Sequence, residues 1–232
     1  MITFSQSDVN AWLRFCGDTN PLHFNIQKAS NAGFSEPIVP GMLLAMPIKS
    51  RIFTPVADGQ IRLFFKKAAL IGATYQINKH NNDVQLIIPD SGNSIITGRI
   101  GMSLASQSLE HDIGVSILKG SEINACLLSI PSLTTPALWA EALIFRDLIN
   151  KLKTMVLWGK SGSEILSSGA LLHLSNTVNL NKPITTFPEE SRVYFSAALV
   201  TSPLPGWAGH LHCRANTECG RVLSEHIFGV KR

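Results

Sequence analysis

The run Gly41-Met-Leu-Leu-Ala-Met-Pro-Ile-Lys-Ser-Arg-Ile-Phe53 is apolar on nearly every side through its first two turns. A helix with no polar face has nowhere to lie but inside a fold. Pro47 removes a backbone hydrogen bond at a cost of roughly 3 kcal/mol in a helix interior, so a kink or a late helix start is expected there. From Ile61 the hydrophobic period drops to two. Ile61, Leu63 and Phe65 alternate along one segment, others run from Thr74 to Ile77 and from Val84 to Ile88, and the turn cluster Pro89 to Asn93 leads into Ile96, Gly98, Ile100, Met102 and Leu104. This reads as an antiparallel meander with one apolar face, and the buried helix is what covers it.

The plan is repeated with different chemistry beyond Gln107. Thr135 and Pro136 make a helix entrance, a capping hydroxyl followed by proline at the first helical position. Leu138, Ala142, Phe145, Ile149 and Leu152 form a helical stripe, and a glycine- and serine-rich break spans Gly159 to Ser163. Strand-like segments follow at Ala170 to Leu180, Val193 to Val200, His210 to Ala215 and Arg221 to Val230. We expect an α+β chain of two units, 1–107 and 108–232, each a sheet wrapped around a long central helix.

The chemistry is concentrated near the start, in Phe15-Cys-Gly-Asp-Thr-Asn-Pro-Leu-His23, between a short amphipathic helix from Ser5 or Ser7 and another over Ile26 to Ala32. Gly17 permits a turn that a Cβ resists, and Pro21 stiffens the bend, so Asp18 and His23 are presented rigidly. A carboxylate and an imidazole held close can divide a proton transfer between them. Asn20 is read as holding the loop through its side-chain amide, and Phe15, Leu22 and Phe34 as core. The amide of Gly41, at the positive end of a helix, suits a developing oxyanion.

These residues, with Ala29, Gly33-Phe34 and Ile38-Val-Pro-Gly-Met42, resemble the signature of the MaoC-like hydratase/dehydratase family, which includes the (R)-specific enoyl-CoA hydratases. The match is close over the first half of the chain and general over the second. The resemblance implies a double hot-dog fold in which 1–107 is the catalytic unit and 108–232 a degenerate one shaping the acyl pocket. It implies reversible hydration of a trans-2-enoyl thioester to an (R)-3-hydroxyacyl thioester, with Asp18 and His23 catalytic, Gly41 in the oxyanion hole and Asn20, Gly17 and Pro21 supporting the site. Asp18 is favoured as base and His23 as proton donor, with the two roles exchangeable on one water. The substrate rides on coenzyme A or an acyl carrier protein, in fatty-acid or polyketide metabolism, and no metal or redox cofactor is called for. One departure is Pro40, where the family has histidine, which puts substrate preference in question more than reaction type. A hot-dog thioesterase and a non-catalytic acyl-thioester binding subunit are the alternatives.

Composition narrows the remaining classes. The chain has 232 residues, 45% hydrophobic and 16% charged, enough for a full core. Its net charge of +4 is scattered, without the basic patch of a nucleic-acid binder, and suits an anionic carrier. The uncharged runs Ile123 to Ala140 and Val193 to Cys213 contain prolines and polar residues, and read as buried elements rather than membrane spans. The start of the chain lacks the basic region and apolar run of a secretory signal, so a cytoplasmic address is expected, with Cys16, Cys126, Cys213 and Cys219 as free thiols. Glu141 reads as a helix-surface carboxylate. His210, His212 and His226 have no Asp or Cys at ligand spacing, so no metal site is expected. A monomer built as a pseudo-dimer and a homodimer are both compatible with this plan.

Overall fold

The computed structural model describes residues 1–52, 59–101, 111–122, 136–180, 189–218 and 222–231. Strand β1 (Ile2–Thr3) leads into α1 (Gln6–Cys16). Ser5 caps this helix reciprocally with Asp8, and Gly17 ends it at φ 68°, a left-handed conformation that suits glycine. A one-turn 3-10 helix (Pro21–His23), α2 (Ile26–Asn31) and α3 (Gly41–Ile52) follow. Next come β2 (Gly59–Phe65), β3 (Thr74–His80), β4 (Asp83–Ile87), β5 (Ser94–Gly101) and β6 (His111–Lys119). The rest of the chain forms α4 (Pro136–Thr154), the small pair β7 (Val156–Leu157) and β8 (Lys160–Ser161), α5 (Gly162–Ser168), β9 (Leu171–Leu180), β10 (Glu190–Thr201), β11 (Trp207–Thr217) and β12 (Val222–Lys231).

One antiparallel sheet runs in the order β1-β3-β4-β5-β2-β9-β12-β11-β10-β6. Its centre is the pairing of β2 with β9, where Ile61 faces Val178 and Leu63 faces Asn176. Strands β1 to β5 lie on one side of that joint and β6 with β9 to β12 on the other, with β6 at the far edge beside β10, while β7 and β8 pair only with each other. Helix α3 lies against β2 and β9, α4 against β6 and β12, and the two helices touch. The expected α+β plan of two helices wrapped by antiparallel strands is therefore present, with the strands of the two halves joined in one continuous sheet through β2 and β9. The 107/108 division falls outside the described residues, as do Thr135, Met102, Leu104, Cys126 and Cys219.

The structure changes three expectations. The first-half strands are not a simple meander: β2 lies beside β5 rather than β3, because its other edge is taken up by β9 at the joint. There is no late start to α3, which begins at Gly41 and carries Pro47 inside it. Met42, Leu43, Leu44, Met46 and Ile48 are all buried, and at about 1.5–3 kcal/mol each their burial outweighs the bond lost at the proline. The glycine- and serine-rich break holds the start of α5, where Ser161 caps through Glu164, and β6 had no strand signal strong enough to assign.

The core is continuous across both halves, from Trp12, Met42 and Tyr75 to Trp139, Phe195 and Phe228. The Trp12 and Phe145 rings, 6.2 Å apart, tie α1 to α4. No described helix is long and apolar enough to cross a membrane.

Candidate active site

The Asp18–His23 loop is held by its own side chains and by one contact from the second half of the chain. Asn20 Oδ1 accepts the Leu22 N–H at 3.1 Å, and its Nδ2 donates to the Leu171 carbonyl at 2.9 Å, so the loop is pinned to β9 in the second half. Pro21 occupies the first position of the one-turn helix, where its missing N–H costs nothing. Asp18 Oδ1 accepts the Asn20 N–H at 2.9 Å. One carboxylate oxygen therefore stabilises the turn and the other remains for chemistry.

His23 is oriented by a backbone carbonyl. Its Nδ1 lies 2.8 Å from the Ile38 oxygen, and since a carbonyl only accepts, Nδ1 carries the hydrogen. Nε2 is then the nitrogen free to gain or lose a proton. It sits 3.7 Å from Asp18 Oδ2, too far for a direct hydrogen bond and suited to an oxygen atom that touches both. The two side chains are 8% and 11% exposed.

Both line a cavity of about 280 Å³ together with Gly41, Pro40 and Met42 from the first half and Phe145, Leu171, His173, Trp207 and Phe228 from the second. Phe34 also lines it, correcting the expectation that this ring is core; Leu22 is buried and Phe15 packs at the core margin. At the start of α3 the first intrahelical donor is Leu44 N–H, to the Pro40 carbonyl at 2.9 Å, so the amides before it have no partner within the helix. A Cβ on Gly41 would stand 3.0 Å from His173 Nδ1, so glycine allows β9 to approach this closely. Cys16 is buried behind the loop, and burial together with the Asp18 charge pushes its thiol up, out of reach of nucleophilic chemistry.

A polar cluster behind the cavity went unread in the sequence. Glu141 is not on the helix surface: it is 1% exposed and paired with the fully buried Lys49 of α3. Asn176 Nδ2 lies 3.3 Å and Ser224 Oγ 3.4 Å from Glu141 Oε1. Ser224 Oγ is 2.9 Å from His226 Nε2, and His226 Nδ1 is 3.2 Å from His173 Nε2. His226, read from the sequence only as lacking an Asp or Cys at ligand spacing, is thus the middle of a chain. Burial lowers the Lys49 pKa, with the Glu141 charge opposing it. Burial and then the Lys49 charge bring His173 to about 3, and burial, His173 and Lys49 hold His226 well below its ordinary range. The available signal was a lone charge in the apolar run of each central helix.

Fold and site together define a double hot-dog protein with an acid–imidazole pair opening on a cavity shared by its two halves. Residues 1–85 match the family model of the MaoC like domain. Over 74 residues the chain is 49% identical to the mitochondrial 3-hydroxyacyl-(acyl-carrier-protein) dehydratase FERN of Solanum lycopersicum. That match takes in 30% of this chain and 44% of that protein, so the chain spans less than half of the curated relative. Among solved structures, a MaoC-like dehydratase superposes with a TM-score of 0.55 at 11% identity, covering 99% of this chain and 95% of that one. A protein described as a MaoC domain dehydratase, from Chloroflexus aurantiacus J-10-fl, gives 0.54 at 9% identity, covering 100% and 93%. At such identities the likeness is one of fold.

Proposed function

We propose that this protein catalyses reversible hydration and dehydration of an acyl thioester, interconverting trans-2-enoyl and (R)-3-hydroxyacyl groups carried on coenzyme A or an acyl carrier protein. The observation that carries the reading is the 3.7 Å gap between His23 Nε2 and Asp18 Oδ2 in a largely apolar cavity headed by Gly41. A water or a substrate hydroxyl in that gap touches both groups. The Solanum lycopersicum relative, named for dehydration of carrier-bound 3-hydroxyacyl groups, supports the reaction class, and the R configuration follows from the family resemblance. Lys66 and Lys67, exposed residues that line the same cavity, suit the phosphate of a carrier arm.

In the hydration direction the thioester carbonyl takes hydrogen bonds from the first turn of α3 at Gly41, which draws electron density from the β-carbon. The Asp18 carboxylate removes a proton from water as its oxygen bonds to the β-carbon. Protonated His23 delivers its Nε2 proton to the α-carbon, while its Nδ1–H stays on the Ile38 carbonyl. Passage of the proton from Asp18 to His23 restores the pair, and dehydration is the reverse. No metal or redox group enters the scheme. Because one proton must reside on the pair, the rate falls on both the acid and the alkaline side.

The test follows the absorbance of trans-2-butenoyl-CoA, and of the same acyl group on an acyl carrier protein, with chiral product analysis and a free-thiol assay. Wild type should consume the enoyl thioester to an (R)-3-hydroxyacyl product without thiol release. Asp18→Asn and His23→Ala should each lower kcat about a hundredfold or more. Near-normal turnover in both variants overturns the assignment of the pair. Thiol release without hydroxyacyl product makes the protein a thioesterase, and inertness on both carriers makes it a binding subunit.

A further inference from the structure

The polar cluster behind the cavity forms a circuit. It leaves α3 at Lys49, crosses to Glu141 on α4, passes through Ser224 and His226 on β12 to His173 on β9, and returns to α3 where the His173 ring lies against Gly41. Its two ends on α3 are separated by about 12 Å of helix rise. Four elements from both halves of the chain are joined, and only the His173 end reaches the cavity.

The direction of the hydrogen bonds follows from the members. Paired with the Lys49 ammonium, the Glu141 carboxylate only accepts, so the single Ser224 hydroxyl hydrogen points at it. Ser224 then accepts from His226 Nε2–H, and His226 Nδ1, a lone pair, accepts from His173 Nε2–H. Asn176 Nδ2, 3.4 Å from His226 Nδ1, is a donor and fits the same direction. His173 is left with an unprotonated Nδ1, which has no hydrogen-bond partner among the described residues. That nitrogen faces the start of α3, where the helix dipole favours a lone pair over an N–H. Two independent arguments, one from the carboxylate and one from the helix, therefore give the same tautomer.

We propose that His173 is a positioning residue for the carbonyl end of the site: the circuit through His226, Ser224, Glu141 and Lys49 fixes its ring, and the ring fixes the Gly41 turn against Asp18 and His23. The role rests on the hydratase reading of the site. Phe65, Phe145 and Phe228 enclose the ring, with centroids 4.7, 6.0 and 4.8 Å away, so aromatic packing holds it laterally while the hydrogen-bond chain sets its rotation. The ring stays neutral, and the acid–base behaviour of the reaction is left to Asp18 and His23.

The test cuts the circuit in two places. His226→Phe keeps the ring shape and leaves Lys49 and Glu141 paired; His173→Phe keeps the aromatic packing; His173→Gln restores a donor near the position of Nε2. Both Phe variants should lose about a hundredfold in kcat on trans-2-butenoyl-CoA with KM within about threefold and unchanged flanks of the pH profile, and His173→Gln should recover about tenfold of that loss. If both Phe variants keep kcat within about twofold of wild type, whatever their melting temperatures, the positioning role is overturned. A second measurement stands apart from turnover: ¹⁵N–¹H correlation of the imidazoles in the wild-type protein between about pH 7 and about pH 5. Neutral Nε2–H tautomers at both His173 and His226 support the circuit, and an Nδ1–H or cationic His173 overturns it. A wild type with these tautomers that hydrates neither carrier's enoyl thioester sinks the functional reading and the positioning role with it, while the circuit itself stands.

Discussion

Asp18 places its two oxygens in different surroundings, one inside the turn and one toward His23. Oδ1 is occupied by the Asn20 N–H, as in any Asx turn, and Oδ2 faces His23. The Ile38 carbonyl does the same for the imidazole, committing Nδ1 and leaving Nε2. Gly41 is the third residue whose type is dictated by geometry. Its absent Cβ would fall 3.1 Å from His173 Cβ as well as 3.0 Å from Nδ1, and a ring held by the circuit cannot retreat. Gly41→Ala should therefore cost about 1–3 kcal/mol of stability through overpacking and lower kcat, as read by urea unfolding and enoyl-thioester turnover. Unchanged stability and rate would show that the ring yields freely.

Helices α3 and α4 are each buried among apolar residues, yet each carries one charge into the interior, and the two meet as Lys49 and Glu141. Desolvating both ions makes such a pair a poor source of net stability, but removing one partner leaves the other buried and uncompensated. Lys49→Met and Glu141→Gln should each destabilise by about 3–5 kcal/mol, whereas the double variant should cost less than either single one. Denaturant unfolding of the four proteins closes the cycle, and strict additivity would mean that the pair is not coupled. Pro47, between Gly41 and Lys49 on the same helix, is tolerated because its neighbours are buried.

For the whole molecule, the buried imidazoles make folding sensitive to acid. His173 and His226 have folded-state pKa values below the ordinary 6.5, His173 at about 3, so on acidification the unfolded chain takes up protons first. Their stability contribution is present above about pH 6.5 and is lost as pH falls toward the folded values, at up to about 1.4 kcal/mol per pH unit for each ring. Urea unfolding from pH 7.5 down to pH 5 should show this decline, and His226→Phe should flatten it by about half. A profile identical in the two proteins would place the acid sensitivity elsewhere.

Local patterns were enough to read the Asp18–His23 loop, the apolar helix at Gly41 and the two-unit plan. Each depends on near neighbours: glycine and proline set the bend at Asp18 and His23, and hydrophobic period distinguishes a buried helix from strands. The sequence alone thus determined an α+β chain of two sheet-and-helix halves with an acid–imidazole pair at its start. Only the tertiary structure decided that β2 joins β9 rather than β3, that Phe34 faces the cavity, and that Glu141 is internal. It also decided that Lys49, Glu141, His173, Asn176, Ser224 and His226, which no spacing rule connects, meet in one chain. A carboxylate in a helical stripe looks the same on a surface as in a core until the element covering it is known. Here the cover comes from Lys49 in the other half and from Asn176 and Ser224 on distant strands, and pairings across so many residues leave no local trace.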